Sequence, residues 1–237
     1  MKLKYEYNFQ TIEFEVMYRN RRTMAIQIKP PDDIRVLVPK GASKKEILGA
    51  VKSKSSWIVK KLVELDDMGY EKIDKKYCDG EIFMFLGGNY PLKINFDEKI
   101  KKEYVDFFDN QILVNVRERS DENIKLILEK WYREESMEKI LDNVKKYADY
   151  IKVKPRNIKV KTQKKRWGSC TSNRDMYFNW KISMAPVEVI DYIVLHEMCH
   201  LVHMNHSAEF WDFLYQIMPD YKDKKDWLKR NGFKMEI

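Results

Sequence analysis

Residues 187–211 read VEVIDYIVLHEMCHLVHMNHSAEFW, and this stretch decides how the rest of the chain is interpreted. All four histidines of the protein fall within eleven of its residues, at His196, His200, His203 and His206. A mostly apolar run from Val189 to Leu195 leads directly into them, and Pro186 suits the first position of a helix. The stretch therefore predicts a buried helix that carries a metal site near its C-terminal end.

The first two histidines belong to an H-E-x-x-H pattern formed by residues 196–200. Because residues four apart lie on the same face of a helix, one cation can bind the imidazoles of both His196 and His200. Glu197 projects beside that face, a position that favours a general base over a ligand. In zinc peptidases with this pattern, the metal lowers the pKa of its bound water to about 7.

Two histidines compete for the place of a third ligand. A continuing helix would carry His203 about 10 Å from His196, whereas a zinc–nitrogen bond is about 2 Å long. His206 can return to the metal if the helix ends near Met204 and Asn205, since asparagine tolerates the left-handed conformation of a C-cap. We predict His206 as the third ligand and water as the fourth, with His203 left at the surface or behind the ligands.

Length and composition indicate a globular protein. The chain has 237 residues, 44% of them hydrophobic and 13% aromatic, enough to bury a substantial core. No run approaches the ~20 apolar residues of a membrane-spanning helix, and the first ten residues lack a signal-like segment. The three cysteines are odd in number and widely spaced, which does not predict a disulfide framework. We expect a cytoplasmic protein that does not contact membranes.

The first part of the chain, residues 1–118, is predicted to be a strand-rich domain. Residues alternate between apolar and polar in 3–7 and 12–18, which is typical of half-buried strands. A capping box at Ser43 and Glu46 predicts the start of a helix. Two hairpins are predicted around residues 87–89 and 109–110. None of these segments has the spacing of a catalytic motif.

Residues 119–237 are predicted to form the second domain, which opens on a long amphipathic helix capped by Ser120 and ended by Pro155. A basic strand region follows, with Lys159, Lys161, Lys164, Lys165 and Arg166. A turn at residues 167–170 and a return strand over residues 176–182 come next. This hairpin beside the metal helix could pair with an extended substrate or belong to the core. The C-terminal tail is expected to pack beneath the site.

Several linked segments resemble the YgjP-like metallopeptidases, relatives of the SprT-like zinc peptidases. They are RWGSC at 166–170, HEMCHL at 196–201, NHS at 205–207, FW at 210–211 and PDY at 219–221. The resemblance implies an α+β fold in which a strand-rich N-terminal region precedes a zincin-like region with a long helix, a β-hairpin and the active-site helix. It also implies zinc on His196, His200 and His206, with Glu197 as general base. His203 stands where metzincins have the glycine of their turn, which argues against that group.

Two classes of function follow from these observations. The first is a zinc-dependent peptidase acting on a protein or peptide substrate, with Arg166, His203 and Asn205 as further candidates behind the ligands or at the substrate. Arg166 could stabilise an oxyanion or form a structural salt bridge. The second is a nucleic-acid-binding protein with a structural zinc, since the net charge is +8 and the Lys159–Arg166 strand is basic. The two combine if DNA stimulates the protease, as the DNA-linked activity of some SprT-like relatives suggests.

Overall fold

The computed structural model describes residues 1–29, 31–67, 75–163 and 165–237. The fold is α+β, as predicted, with a strand-rich N-terminal part followed by helices. It forms two compact units, Met1–Ile73 and Asp74–Ile237. The domain boundary predicted at residues 118/119 lies inside the second unit, because the strands before it pack on the helix after it. Within the described part of the chain, every helix is too short or too polar to cross a lipid bilayer.

The first unit is a four-stranded sheet covered by one helix. Its strands lie in the order β1-β2-β4-β3, with β2 and β4 parallel. Helix α1 begins with the predicted capping box, in which the Ser43 backbone N–H donates to the Glu46 carboxylate at 2.8 Å. Alternate strand residues and one face of α1 form an apolar core. The elements are β1 Lys2–Tyr7, β2 Gln10–Arg19, β3 Ala25–Lys29, β4 Asp33–Pro39 and α1 Lys44–Asp67.

The second unit opens with a sheet in the order β5-β6-β8-β7. Both predicted hairpins are confirmed, since β5 pairs antiparallel with β6 and β7 with β8. Asp109 and Asn110 join the second pair with φ values of 51° and 55°, the left-handed conformation that a two-residue hairpin turn requires. The strands are β5 Ile82–Phe85, β6 Gly88–Phe96, β7 Tyr104–Phe108 and β8 Gln111–Val116.

Helix α2, Asp121–Ile151, is the long helix predicted from the sequence. The Ser120 hydroxyl accepts a hydrogen bond from the Asn123 backbone N–H, so the predicted cap is confirmed. The helix ends at Ile151, before Pro155, with Lys152 in the left-handed conformation. Buried Ser136 donates to the Trp180 carbonyl and contacts the Ser183 hydroxyl at 2.9 Å. These bonds attach α2 to the segment that precedes the helix carrying His196 and His200.

A three-stranded sheet in the order β10-β11-β9 follows α2, and it corrects the predicted hairpin. The predicted turn at 167–170 is itself strand β10, Gly168–Cys170, paired antiparallel with β11, Asp175–Asn179. Strand β9, Asn157–Lys161, pairs with β11 in parallel. The return strand ends at Asn179, whose side chain accepts from the Lys181 N–H and starts a 3-10 turn over Trp180–Met184. Strand β10 was missed because three residues with few apolar side chains are too short to show the alternation typical of a strand.

Three helices complete the second unit, and the first ends earlier than predicted. Helix α3, Val187–Cys199, has Pro186 as its N-cap rather than its first residue. It stops at Cys199, not near Met204 and Asn205, because residues 201–203 turn back on the carbonyls of Met198 and Cys199. Ser207 is the N-cap of the next helix, as predicted. The remaining elements are α4 Ala208–Ile217, α5 Tyr221–Asn231 and a 3-10 turn at Gly232–Lys234.

Candidate metal centre and active site

Helix α3 supplies the first two histidines of the candidate site from its C-terminal end. The helix is buried on almost every side, and nine of its thirteen residues are buried. His196 lies in its last turn and His200 is its C-cap, so their ring centroids are 5.1 Å apart. Because the helix is held rigidly in the core, the separation of these two rings is fixed by the backbone.

The turn after α3 brings His206 to the same place. One ligand atom from each of His196, His200 and His206 lies within 4.8 Å of the other two. The Nε2 atoms of His196 and His206 are 3.0 Å apart. Within the described residues, these three histidines form the group that could hold a metal ion. The imidazole of His203 is not part of it.

Aromatic residues of α4 hold the three rings in position. Phe210, fully buried, has its ring centroid 4.5–5.0 Å from the centroids of all three imidazoles. Trp211 stacks on His206 at 5.3 Å with an interplanar angle of 21°. Apolar surroundings of this kind limit solvent access to the group and restrict the motion of its rings.

Burial favours the neutral form of His196 and His200, which is the form that binds a metal ion. Burial, together with the neighbouring His200 and His206, lowers the pKa of His196 to about 3. Burial also lowers the pKa of His200, although its Nδ1 lies 3.0 Å from the His203 carbonyl. Neutral imidazoles offer a lone pair, which is the form that ligates zinc and other divalent transition metals. The donor set therefore fits such an ion.

Glu197 lies next to the histidines and is 6% exposed. Burial raises the pKa of Glu197 to about 8, while the positive charge of Arg166 and a hydrogen bond from the Cys170 backbone N–H act in the opposite direction. Strand β10 reaches the carboxylate closely because residue 168 is glycine. A Cβ at Gly168 would lie 2.6 Å from Cγ and Oε1 of Glu197.

The three further residues named from the sequence take different places. The Arg166 guanidinium is near enough to lower the pKa of Glu197, and its carbonyl accepts from the Asn179 amide at 3.3 Å. His203 reaches the group only through its backbone carbonyl, while its ring packs on Phe213. Asn205 is exposed in the turn before His206. Lys164 of the predicted basic strand lies outside the described residues.

A cleft of about 320 Å³ opens over His196 and Glu197. Its walls come from β10, α3 and α5, and its lining residues are Trp167, Gly168, Tyr192, Ile193, His196, Glu197, Lys225, Leu228 and Lys229. Sequence reasoning placed the tail beneath the site and did not identify the two lysines of α5. Nothing in their spacing separates them from the other lysines of a basic chain.

Comparison with known proteins gives one extensive match. A model of the YgjP-like metallopeptidase domain matches residues 22–231. No curated protein is significantly similar to the chain. Among solved structures, the metallopeptidase zymogen of Pyrococcus abyssi abylysin is 18% identical, over 38% of this chain and 90% of that chain, with a TM-score of 0.35. A likeness of that size indicates neither the fold nor the function.

Proposed function

Because the chain belongs to the YgjP-like metallopeptidase family, we propose that it hydrolyses peptide bonds with a zinc ion held by His196, His200 and His206. Glu197 acts as the general base. One observation carries the proposal: three imidazole nitrogens lie within 4.8 Å of one another, and one of the three histidines, His196, lines a cleft together with the buried carboxylate of Glu197.

The number of histidines supports a catalytic metal over a structural one. Structural zinc sites usually have four protein ligands, whereas catalytic sites have three and leave a position for water or substrate. When bound here, zinc would supply Lewis acidity, acidifying water and polarising the carbonyl of the scissile bond. Three imidazole nitrogens are donors that suit zinc, although the same set also accepts other divalent transition metals.

Glu197 moves the proton in this mechanism. Its carboxylate takes a proton from the attacking water and then donates it to the nitrogen of the departing amine, so the peptide bond breaks as the water oxygen bonds to the carbonyl carbon. This role requires the ionised carboxylate, which Arg166, the Cys170 N–H and any dication at the histidines all favour. Gly168 keeps the strand close enough for the Cys170 contact.

The substitution Glu197→Gln tests the proposal. The variant should keep its metal, because the three histidines remain, and should lose hydrolysis by about 10²–10⁴-fold, the usual contribution of a general base. Metal analysis of the purified protein is combined with digestion of an unfolded protein substrate. Glu188→Gln, an exposed residue in the first turn of the same helix, is the matched control and should retain full activity. Unchanged turnover in the Glu197 variant would contradict the mechanism.

A second candidate function, contact with nucleic acid, is supported by the surface around β9. Lys159 and Lys161 are exposed on that strand, and they line a groove of about 470 Å³ in which two further basic residues of α2, Lys130 and Arg133, outnumber the one acid, Glu134. Such a surface suits phosphates, and its affinity for DNA should fall steeply as salt rises. The measurement is DNA binding between 50 and 200 mM salt (about the range over which such contacts weaken), with digestion repeated in the presence of single-stranded DNA. Binding that does not change with salt would contradict this function.

A further inference from the structure

Two lysines of α5 line the cleft without a carboxylate partner among the described residues. Lys225 and Lys229 lie one helical turn apart, both are exposed, and both line the cleft beside Glu197. Among the described residues, no carboxylate lies within ion-pair distance of either ammonium. Their neighbour Lys224, which does not line the cleft, pairs with Asp220. The helix therefore presents two cations to the cleft that no carboxylate neutralises.

Like charges four residues apart in a helix repel each other, and although Asp226 precedes Lys229 by three residues, the described structure has no ion pair between them. Lys225 also has a defined position relative to the histidines. The Lys225 ammonium lies 4.7 Å from the centroid of the Trp211 ring, a cation–π distance, and Trp211 stacks on His206. The Lys225 ammonium and the His206 imidazole therefore both contact the ring of Trp211.

The remaining lining of the cleft provides no compensating charge. Among the described residues that line the cleft, the only carboxylate is that of Glu197, which is buried on the β10 side with Arg166 near it. The other walls are the apolar or aromatic residues Trp167, Tyr192, Ile193 and Leu228. A volume of about 320 Å³ is of the size that accommodates a small ligand or a few side chains.

We propose that this cleft selects substrates that carry a carboxylate, which Lys225 and Lys229 bind when the peptide occupies the site. The inference rests on the proposed peptidase function and specifies its substrate class. The carboxylate has two possible sources, an aspartate or glutamate side chain near the scissile bond or the α-carboxylate at the end of the chain. Both would meet the same pair of ammonium groups.

The test is a peptide series built around a cleavage site mapped by mass spectrometry. The first arm uses N-acetylated, C-amidated peptides with Glu, Gln or Lys at each flanking position in turn. The second arm compares the Gln peptide with and without a free C-terminal carboxylate. We expect kcat/KM to be about two- to fivefold higher for the carboxylate-bearing peptide of one arm, a size typical of exposed ion pairs. The arm that shows the preference identifies the source.

Charge reversal identifies the residues responsible. Lys225→Glu and Lys229→Glu should abolish the preference for the acidic peptide and favour the Lys peptide. The matched control Arg230→Glu makes the same change in net charge on an exposed residue of α5 outside the cleft lining, and it should keep the wild-type preference. Equal rates for all peptides, or a preference that survives both reversals, would overturn the inference.

A binding measurement separates failure of this inference from failure of the proposed function. Affinities of the zinc-loaded Glu197→Gln variant for the Glu and Gln peptides can be measured without turnover. If wild type cleaves nothing, the peptidase proposal fails, and tighter binding of the acidic peptide still supports the carboxylate site. If wild type cleaves both peptides equally and the variant binds them equally, only the substrate inference fails.

Discussion

The interiors of the two units differ in the polar groups that they bury. In the described part of the first unit, Ser55 is the only buried polar residue, and its hydroxyl donates to the Val51 carbonyl within α1. Among the described residues of the second unit, eight polar or charged residues are buried, namely Asn115, Ser136, Asn143, Asp175, Asn179, Ser183, Glu197 and His200. Burying polar groups costs free energy unless they are paired. The first interior is therefore almost entirely apolar, whereas the second positions polar side chains through hydrogen bonds such as those of Ser136 and Asp175.

The largest expected effect is on metal binding in the second unit, and it tests whether the polar groups of that unit serve the site. His206→Ala should lower metal affinity by more than about 100-fold, because removing a group that merely orients a ligand already costs 10–100-fold. Hydrolysis should disappear with the metal, while the fold remains. The control is His203→Ala, which leaves the backbone carbonyl of residue 203 near His200. Equilibrium dialysis with metal analysis measures the metal affinity of both variants. Equal affinities of the two variants would show that His206 is not a metal ligand.

The next largest effect is expected from a core substitution in the first unit, which should change the free energy of unfolding and leave catalysis unchanged. Phe14 is buried in its apolar core, and Phe14→Ala should lower the free energy of unfolding by about 3–5 kcal/mol, through lost burial and the cavity that remains. Phe9→Ala, at a fully exposed phenylalanine of the same unit, should change it by less than about 0.5 kcal/mol. Denaturant unfolding provides the values. A change in kcat for folded Phe14→Ala protein would break the contrast between the units.

A smaller effect tests how closely β10 must approach the carboxylate. Gly168→Ala places a methyl group against Glu197, so the carboxylate or the strand must shift and kcat should fall by about ten- to a hundredfold. Metal content should stay the same, since no histidine is displaced. Gly49→Ala is the control: its added Cβ meets nothing within 4 Å, and it lies in α1, where alanine is the better helix former. A Gly168→Ala protein with wild-type kcat would show that this contact is dispensable.

The smallest predicted effect is a pH dependence in the sheet behind the site. Hydrogen bonds from Arg156 and Asn157 lower the pKa of Asp175 in the folded protein. Its contribution to stability is therefore present above the unfolded pKa, about 3.9, and is lost as pH falls through the lower folded value. Asp175→Asn should thus lower Tm at pH 7 more than at pH 3. Asp106→Asn, an exposed residue, should change Tm little, and parallel Tm curves for wild type and Asp175→Asn would contradict the assignment.

Much of the fold follows from local patterns that the sequence shows directly. Period-two alternation marked the strands of the first unit, and the capping residues Ser43 and Ser120 marked the starts of α1 and α2. The Asp109-Asn110 dipeptide predicted the second hairpin turn, and both residues have the positive φ that such a turn requires. The errors lie where a pattern is short or absent. Three-residue β10 was interpreted as a turn, and the end of α3 was placed five residues too late.

The sequence by itself determined which side chains share a helical turn, because helix geometry fixes the spacing of His196, Glu197 and His200 without reference to the rest of the chain. It also favoured His206 over His203, since a helix rises too far for the latter to share an ion with His196. Only the tertiary structure decided that β10 lies against Glu197 and that Lys225 and Lys229 line the cleft. Those neighbours are tens of residues distant in the chain, and it is the packing of whole elements, with no periodic signal of its own, that brings them together.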